Sequence, residues 1–478
     1  MRFPRDKPLH TTNREMRLSR EAIVSLLSFW LPILIFFVAQ PPISVAASSS
    51  FQIATFQCDI TPPLGQPIGM GFIKVLETVE HPLLAKGVVI VNQAEDQRQV
   101  FVLCGLDLME VHNSSYDFLR EQIAAAAGTT PSRVAPHCLH QHTAPAFSAD
   151  VHRIRLDEHN PRRLATEKYW DATAMAISAA VKEAMGKLKP LTHIGTSQAM
   201  VDRVASNRRI EQPDGSIRMR GSSCRDASLR AAPGGVIDPW LKTVSWYSGK
   251  AAVAQMHYYA THPQSFYNDQ RASYDTCGIA RQRLEQATGV FQLYFTGCGG
   301  DVAMGKYNDG SPEARAELTN RLHDAMQRSA MDVTRQAIQR MRWDVEPLLF
   351  PPRTEPEFSL ESSRSKLQEN LVSPTNIAFI RRMQAGRAVE LSCLTVNNIQ
   401  ILHLPGEPFV LYQLAAQQSR PTSFVATAGY GDGGVGYIGS DRMYTDRGGY
   451  EQTYAFSGPC EELLIEAIGK LLARGGSP

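Results

Sequence analysis

Four times along this chain an apolar run of strand length ends abruptly in a polar, glycine- or proline-containing loop. SRVAPHCLHQHTAP delivers His140 and His142, VAQMHYYATHPQSF delivers His262, FQLYFTGCGGDVA places Gly300 and Asp301, and IQILHLPGEPF reaches Glu407. Tyr437, in GVGYIGS, follows the run SFVATAG in a similar way. Between these runs lie stretches with apolar residues at helical spacing, among them YDFLREQIAAAAG, residues 165–188, SPEARAELTNRLHDAMQ and CEELLIEAIGKLLARG. In the third of these, Ser311 is placed to cap and Pro312 to occupy the first helical turn. Strands that alternate with helices and end in polar residues argue against a β-sandwich. They predict an α/β fold, a large single domain with mixed β-sheets flanked by helices.

The N-terminus departs from this pattern. Arg2, Arg5, Lys7, Arg14, Arg17 and Arg20 precede the apolar stretch AIVSLLSFWLPILIFFVA, and small residues follow around Ala46 and Ala47. Positive, apolar and small is the order of an export signal, so residues 1–47 are expected to be a signal peptide and 48–478 the mature domain. The alternative is a retained anchor, because the apolar run borders on spanning length. The expected location is secreted or periplasmic, with membrane association left open. Without residues 1–47 the chain carries 43 basic and 44 acidic residues. That balance, with no basic helix or aromatic-and-basic stripe, gives no reason to expect a nucleic-acid partner. All eight cysteines fall beyond residue 47, widely scattered and without a CxxC pair. Pairing is open to them in an exported protein, but several sit in apolar runs, where buried free thiols are the plainer reading.

His140, His142, His262, Glu407 and Tyr437 could together supply nitrogen and oxygen ligands to a borderline metal such as zinc. Spacing alone leaves each assignment open. His140 and His142 face one side if extended, yet one could ligate and the other carry protons. Glu407 could equally serve the N-terminus of the helix expected after Pro408, and Tyr437 could be a packing residue.

The ordered set FQCDITPPLGQPIGMGF, HQHTAP, YYATHPQS, GGDVAMG, LPGEPF and GYIGSDRMYTDRGGYE resembles the catalytic domain of neutral/alkaline, non-lysosomal ceramidases and their bacterial relatives. The likeness runs from about Phe51 to the C-terminal helix, and the family's immunoglobulin-like C-terminal domain is expected to be absent. The resemblance implies an exported zinc amidase acting on the N-acyl bond of a lipid-like substrate. It implies His140, His262, Glu407 and Tyr437 as ligands of Zn2+, with Tyr444 and Tyr450 as secondary alternatives to Tyr437. His142 becomes the proton-transfer residue. Asp301 either orders a histidine or caps its own glycine loop.

One departure stands out. The family's GDxSPN motif falls on Gly300-Asp301-Val302-Ala303-Met304-Gly305, so the serine on which its ceramidase activity depends is Ala303 here. A serine-assisted mechanism does not carry over, whereas metal-activated water needs no serine. Two expectations follow. The first is a zinc-dependent hydrolase of an amide or ester bond, with His142, Asp301 and Tyr437 as its catalytic set. The second is an inactive binding or surface protein that retains the fold. A serine esterase is disfavoured because no GxSxG elbow occurs.

Overall fold

The computed structural model describes residues 50–69, 74–94, 97–266 and 269–475. The expected signal or anchor, and residues 70–72 of the first motif, lie outside them. The described residues form one compact unit.

Three larger sheets organise the unit, and the labels used here count only their strands and the longer helices. The first sheet holds β1 (Ser50–Asp59), β2 (Leu84–Ala94), β3 (Gln97–Leu106) and β4 (Val134–Cys138), with the short Lys189–Pro190 strand beside β1. The second runs β8-β7-β6-β5-β9, from β5 (His193–Met200), β6 (Trp240–Ser248), β7 (Ala251–Tyr259), β8 (Phe291–Thr296) and β9 (Thr334–Ala337). The third is β10 (Met341–Leu348), β11 (Val389–Val396), β12 (Ile399–His403) and β13 (Phe424–Ala428) in chain order.

Each sheet is apolar on both faces, as near-continuous runs such as KGVVIVNQ require. Phe51, Ile90, Leu103, Trp246, Phe295, Leu394 and Ile401 meet in a central core shared by all three sheets. The outward faces are covered by helices. On the first sheet, Leu119 of α1 (Asn113–Ala127) and Trp170 and Ile177 of α2 (Pro161–Met185) pack against Val89, Val102 and Cys104. Leu284 of α3 (Asp275–Thr288) and Leu318 and Leu322 of α4 (Pro312–Met331) cover the second. The third carries α5 (Val372–Gln384), α6 (Val410–Ser419) and α7 (Glu461–Gly475), through Phe379, Tyr412 and Leu464. Ser311 caps α4 by accepting the Ala314 N–H at 3.1 Å. The mixed α/β fold expected from the sequence is thus the fold observed.

Most strand pairs are antiparallel, but every sheet ends in one parallel pair: β3 with β4, β7 with β8, and β12 with β13. The carboxyl ends of these pairs converge. Cys138 donates its N–H to the Tyr430 carbonyl at 2.9 Å, and Gly429 donates to that of Thr296, also at 2.9 Å. The Thr296 hydroxyl donates to the Leu139 carbonyl at 2.7 Å. Loops leaving parallel strands at their carboxyl ends are where α/β proteins place ligands. Here three sheets contribute to one such place.

All eight cysteines are unpaired, and seven are buried. Asp107, just past the end of β3, is locked in a buried fork with Arg281 at 2.8 Å on both oxygens. Residues 345–370, rich in proline and charge, complete β10 and add a turn and a short helix, Leu360–Ser365.

Candidate metal centre and its cavity

His140 leaves β4 with a left-handed backbone (φ 70°), and Tyr430, just past β13, is also left-handed (φ 61°). A side chain in that region costs about 1–2 kcal/mol, which the surrounding packing must over-determine. The result is a stack, with the His140 and Tyr430 rings 4.3 Å apart between centroids. His262 follows β7 and lies edge-on to His140 at 4.7 Å. Glu407 follows β12 in a two-residue strand whose parallel register sets it directly opposite Tyr437. Gly300 approaches this strand so closely that a Cβ would sit 2.4 Å from the Glu407 carbonyl, which accounts for the glycine.

One carboxylate oxygen of Glu407, Oε2, lies 3.1 Å from His140 Nε2 and 2.9 Å from His262 Nε2. His142 Nε2 is 3.3 Å from His140 Nε2, and the Tyr437 hydroxyl is 3.4 Å from His262 Nε2. The other ring nitrogens fix the tautomers. His262 Nδ1–H donates to the Gly299 carbonyl at 2.6 Å, and His140 Nδ1–H to the Met109 carbonyl at 3.0 Å. Carbonyls only accept, so in neutral rings both Nε2 atoms present lone pairs. Two lone pairs and a carboxylate oxygen then face one another, an arrangement that requires a proton or a cation among them. Zinc ligands at about 2.0–2.1 Å stand about 3.3 Å apart at the corners of a tetrahedron. The observed spacings of 2.9–3.4 Å match that edge. His140, His142 and His262 form one group able to hold an ion, and Glu110, His140 and Glu407 an overlapping one.

The electrostatics agree. Burial pulls the Glu407 carboxyl up, but His140 and His262 hold it well below the usual carboxylate range. Burial, then the neighbouring His140 and His262, push His142 well below the ordinary histidine value, leaving a neutral ring that can accept a proton. Burial pushes the Tyr437 phenol well above its ordinary value, against the nearby Arg208.

Asp301 does something else. Its Oδ1 accepts the Val410 N–H at 2.8 Å, capping α6, while its Oδ2 accepts from the Asn207 amide, also at 2.8 Å. The cap it forms is on α6 rather than on its own glycine loop. Glu407 is thereby released from the helix N-terminus it could otherwise have served. Ala303 is fully buried and pairs with Ser206 in a short antiparallel bridge.

The sequence reading missed Arg208. It lies in the irregular stretch 205–235, where residues 206 and 207 pair with Val302 and Ala303. Buried to 1% exposure, its guanidinium donates to the Gly300 carbonyl at 2.5 Å and the Tyr437 hydroxyl at 2.8 Å. It also lies over the ring of Tyr450, whose hydroxyl is 3.4 Å from that of Tyr437. No local sequence signal distinguishes this arginine from its neighbours. Glu110 and His112 were missed too, although EVH repeats the two-apart polar pattern of HQH.

A cavity of about 470 Å³ opens beside the cluster. Glu407, His142, Tyr437 and Tyr450 line its polar end, with Leu371, Val372 and Phe456 among its apolar walls. The site is therefore a buried His/Glu cluster able to hold a divalent ion, at the convergence of three mixed sheets and open to a chamber of ligand size.

Comparison with solved structures shows which known folds this chain is similar to. The crystal structure of neutral ceramidase from Pseudomonas aeruginosa superposes with a TM-score of 0.63 at 15% identity, over 89% of this chain and 75% of that one. A ceramidase complexed with C2 matches with a TM-score of 0.65, also at 15% identity, over 89% and 76%. No protein-family model and no curated protein sequence matches the chain. The shared property is the fold.

Proposed function

We propose that this protein is a zinc-dependent hydrolase of an amide or ester bond, acting on a small-molecule or lipid-like N-acyl substrate. The observation that carries the reading is the convergence of His140 Nε2, His262 Nε2 and Glu407 Oε2, their tautomers set by backbone carbonyls, at the wall of a cavity. Backbone partners that orient ligand imidazoles in this way are a regular feature of metal sites. The ceramidases that share the fold place lipid-like amides first among substrates to try. Ala303 argues against their serine-dependent chemistry, and the open cavity argues against a silent protein with a filled site.

Zinc held by these residues would polarise a carbonyl and lower the pKa of a water molecule. The chain's own groups supply the rest. His142, neutral and lining the cavity, takes the proton of the attacking water and returns it to the leaving nitrogen or oxygen. Arg208 donates to the Tyr437 hydroxyl and so orients it toward the cluster. There Tyr437 serves as fourth ligand or as hydrogen-bond donor to the developing oxyanion. Asp301 holds α6 and the Asn207 strand in place. Residues 1–47 act as an export signal, which places the mature protein outside the cytoplasm.

The test is hydrolysis of a panel of N-acyl amides and matching esters by purified protein, with zinc and with chelator, following release of the free acid by mass spectrometry. Chelator-sensitive turnover is expected, and His142→Ala should lower kcat by about 10²–10⁴ while zinc is retained. Folded, zinc-loaded protein that turns over nothing on the panel would leave the binding-protein reading in its place.

A further inference from the structure

A second cavity, of about 260 Å³, shares none of its lining residues with the chamber beside the metal cluster. Two helices face each other across it. Along α5 and its last turn, Ala378, Arg381, Arg382 and Ala385 fall at i, i+3, i+4 and i+7, and so lie on one side. Opposite them, the short helix Ala149–Arg155 presents Asp150, Arg153 and Ile154. Alanine at 378 and 385 leaves open the space that longer side chains would fill. Arg387, just beyond α5, closes the rim.

Four guanidiniums thus surround one space, against a single lining carboxylate, Asp150. The nearby carboxylates are already committed. Asp117 accepts from Arg382 at 2.9 and 3.3 Å and from Arg387 at 2.5 Å. Asp150 accepts the Ser114 N–H at 3.0 Å, and Asp432 accepts those of Asn113 and Gly434 at 2.7 and 3.0 Å. Arg382 is buried and also donates to the carbonyls of Arg387 and Ala388 at 3.2 and 3.0 Å, which makes it a fixed floor. The unmatched charge belongs to Arg153 and Arg381. Arg153 lies 3.9 Å from Glu167, beyond hydrogen-bonding distance, and Arg163 holds that carboxylate at 3.0 Å. The Arg381 side chain has no hydrogen bond or ion pair among the described residues. Like charges gathered around one space repel, and an anion placed between them turns that repulsion into attraction.

We propose that Arg153, Arg381 and Arg387, above the floor formed by Arg382, are a binding site for a phosphate group, free or esterified. A guanidinium fork matches the oxygens of phosphate or carboxylate. Here the forks come from two helices and the segment after one of them, so they approach from several directions. A tetrahedral oxyanion offers an oxygen to each, whereas a flat carboxylate serves forks lying in its own plane. The site stands on residues outside the metal cluster, so it holds whether or not the protein is a hydrolase. It is joined to the chamber there by α5, whose first turn supplies Val372 and Thr375 to the chamber wall.

The experiment titrates inorganic phosphate into metal-free full-length protein by calorimetry, with chelator present so that no phosphate is held by zinc. A parallel arm measures co-sedimentation with vesicles of phosphatidylglycerol and phosphatidylcholine, against phosphatidylcholine alone. Binding of phosphate in solution marks a soluble source, and binding only to phosphatidylglycerol marks a lipid headgroup. Loss of one charge-assisted contact predicts about 10- to 100-fold weaker binding in Arg381→Gln and, separately, in Arg153→Gln. Both side chains are exposed, so both variants should fold. Arg98→Gln, which removes an exposed arginine outside the cavity, should bind as wild type does. Every variant keeps the basic residues at the N-terminus, so a difference between variants reports the cavity. The proposal is overturned if neither probe binds, if folded Arg153→Gln and Arg381→Gln hold both probes as tightly as wild type, or if Arg98→Gln loses as much as they do.

Discussion

Replacing His262 by alanine removes one corner of the candidate metal site and leaves His140, Glu407 and Tyr437 in place. Apparent free energies for four-ligand structural zinc sites are about 10–16 kcal/mol, so one ligand accounts for roughly 3–4 kcal/mol. The zinc dissociation constant should therefore rise about 10²- to 10³-fold. At free zinc about 100 times the wild-type constant, binding stabilises the native state by about 2.7 kcal/mol. A chain of this length unfolds with an entropy of about 1 kcal/mol per degree, so zinc should raise the wild-type Tm by about 3 °C. At that zinc concentration the variant is at most about half filled, and its Tm should move by less than about 0.5 °C. Metal content after dialysis, chelator competition and a thermal melt read the same equilibrium in three ways. Circular dichroism checks that the variant is folded. Folded wild-type protein that binds no zinc, or His262→Ala that binds it equally well, would refute a metal site at this convergence.

Two further outcomes test the frame around the site. Asp301→Ala should cost about 2–4 kcal/mol, because α6 loses its cap and the buried Val410 N–H and Asn207 amide lose an acceptor. Asp301→Asn should cost about half as much and keep most activity, and a loss of activity without a loss of stability would give Asp301 a chemical role instead. The second outcome concerns pH. Burial pushes His137 and His257 from 6.5 down to about 4. The unfolded chain therefore binds the extra protons between those values. Each histidine contributes about 3 kcal/mol that is fully present above pH 6.5 and lost as pH falls towards 4. Chemical denaturation should show the loss in that window, and a flat profile from pH 6.5 to 4 would contradict the burial of these rings.

The strand-to-loop transitions carrying His140, His262 and Glu407 were legible because each is local: an apolar run, then residues that cannot continue it. The alternation of such runs with helical stretches was enough for the α/β class. Motif order added which histidines to pair, although they lie more than a hundred residues apart. Arg208 was not legible, since its role depends on two residues pairing with Val302 and Ala303 across the fold. Nor were the partners of Asp301, because Val410 and Asn207 both lie far from it in sequence.

Residue identity and local periodicity determined which side chains could ligate a metal, where strands end, and that serine is missing at position 303. The tertiary structure decided that three parallel strand pairs from three sheets bring their carboxyl ends together. It decided too that backbone carbonyls of Met109 and Gly299 take the Nδ1 protons and turn two Nε2 lone pairs toward one carboxylate. Hydrogen-bond direction is set by partners distant in sequence, and no local pattern encodes it.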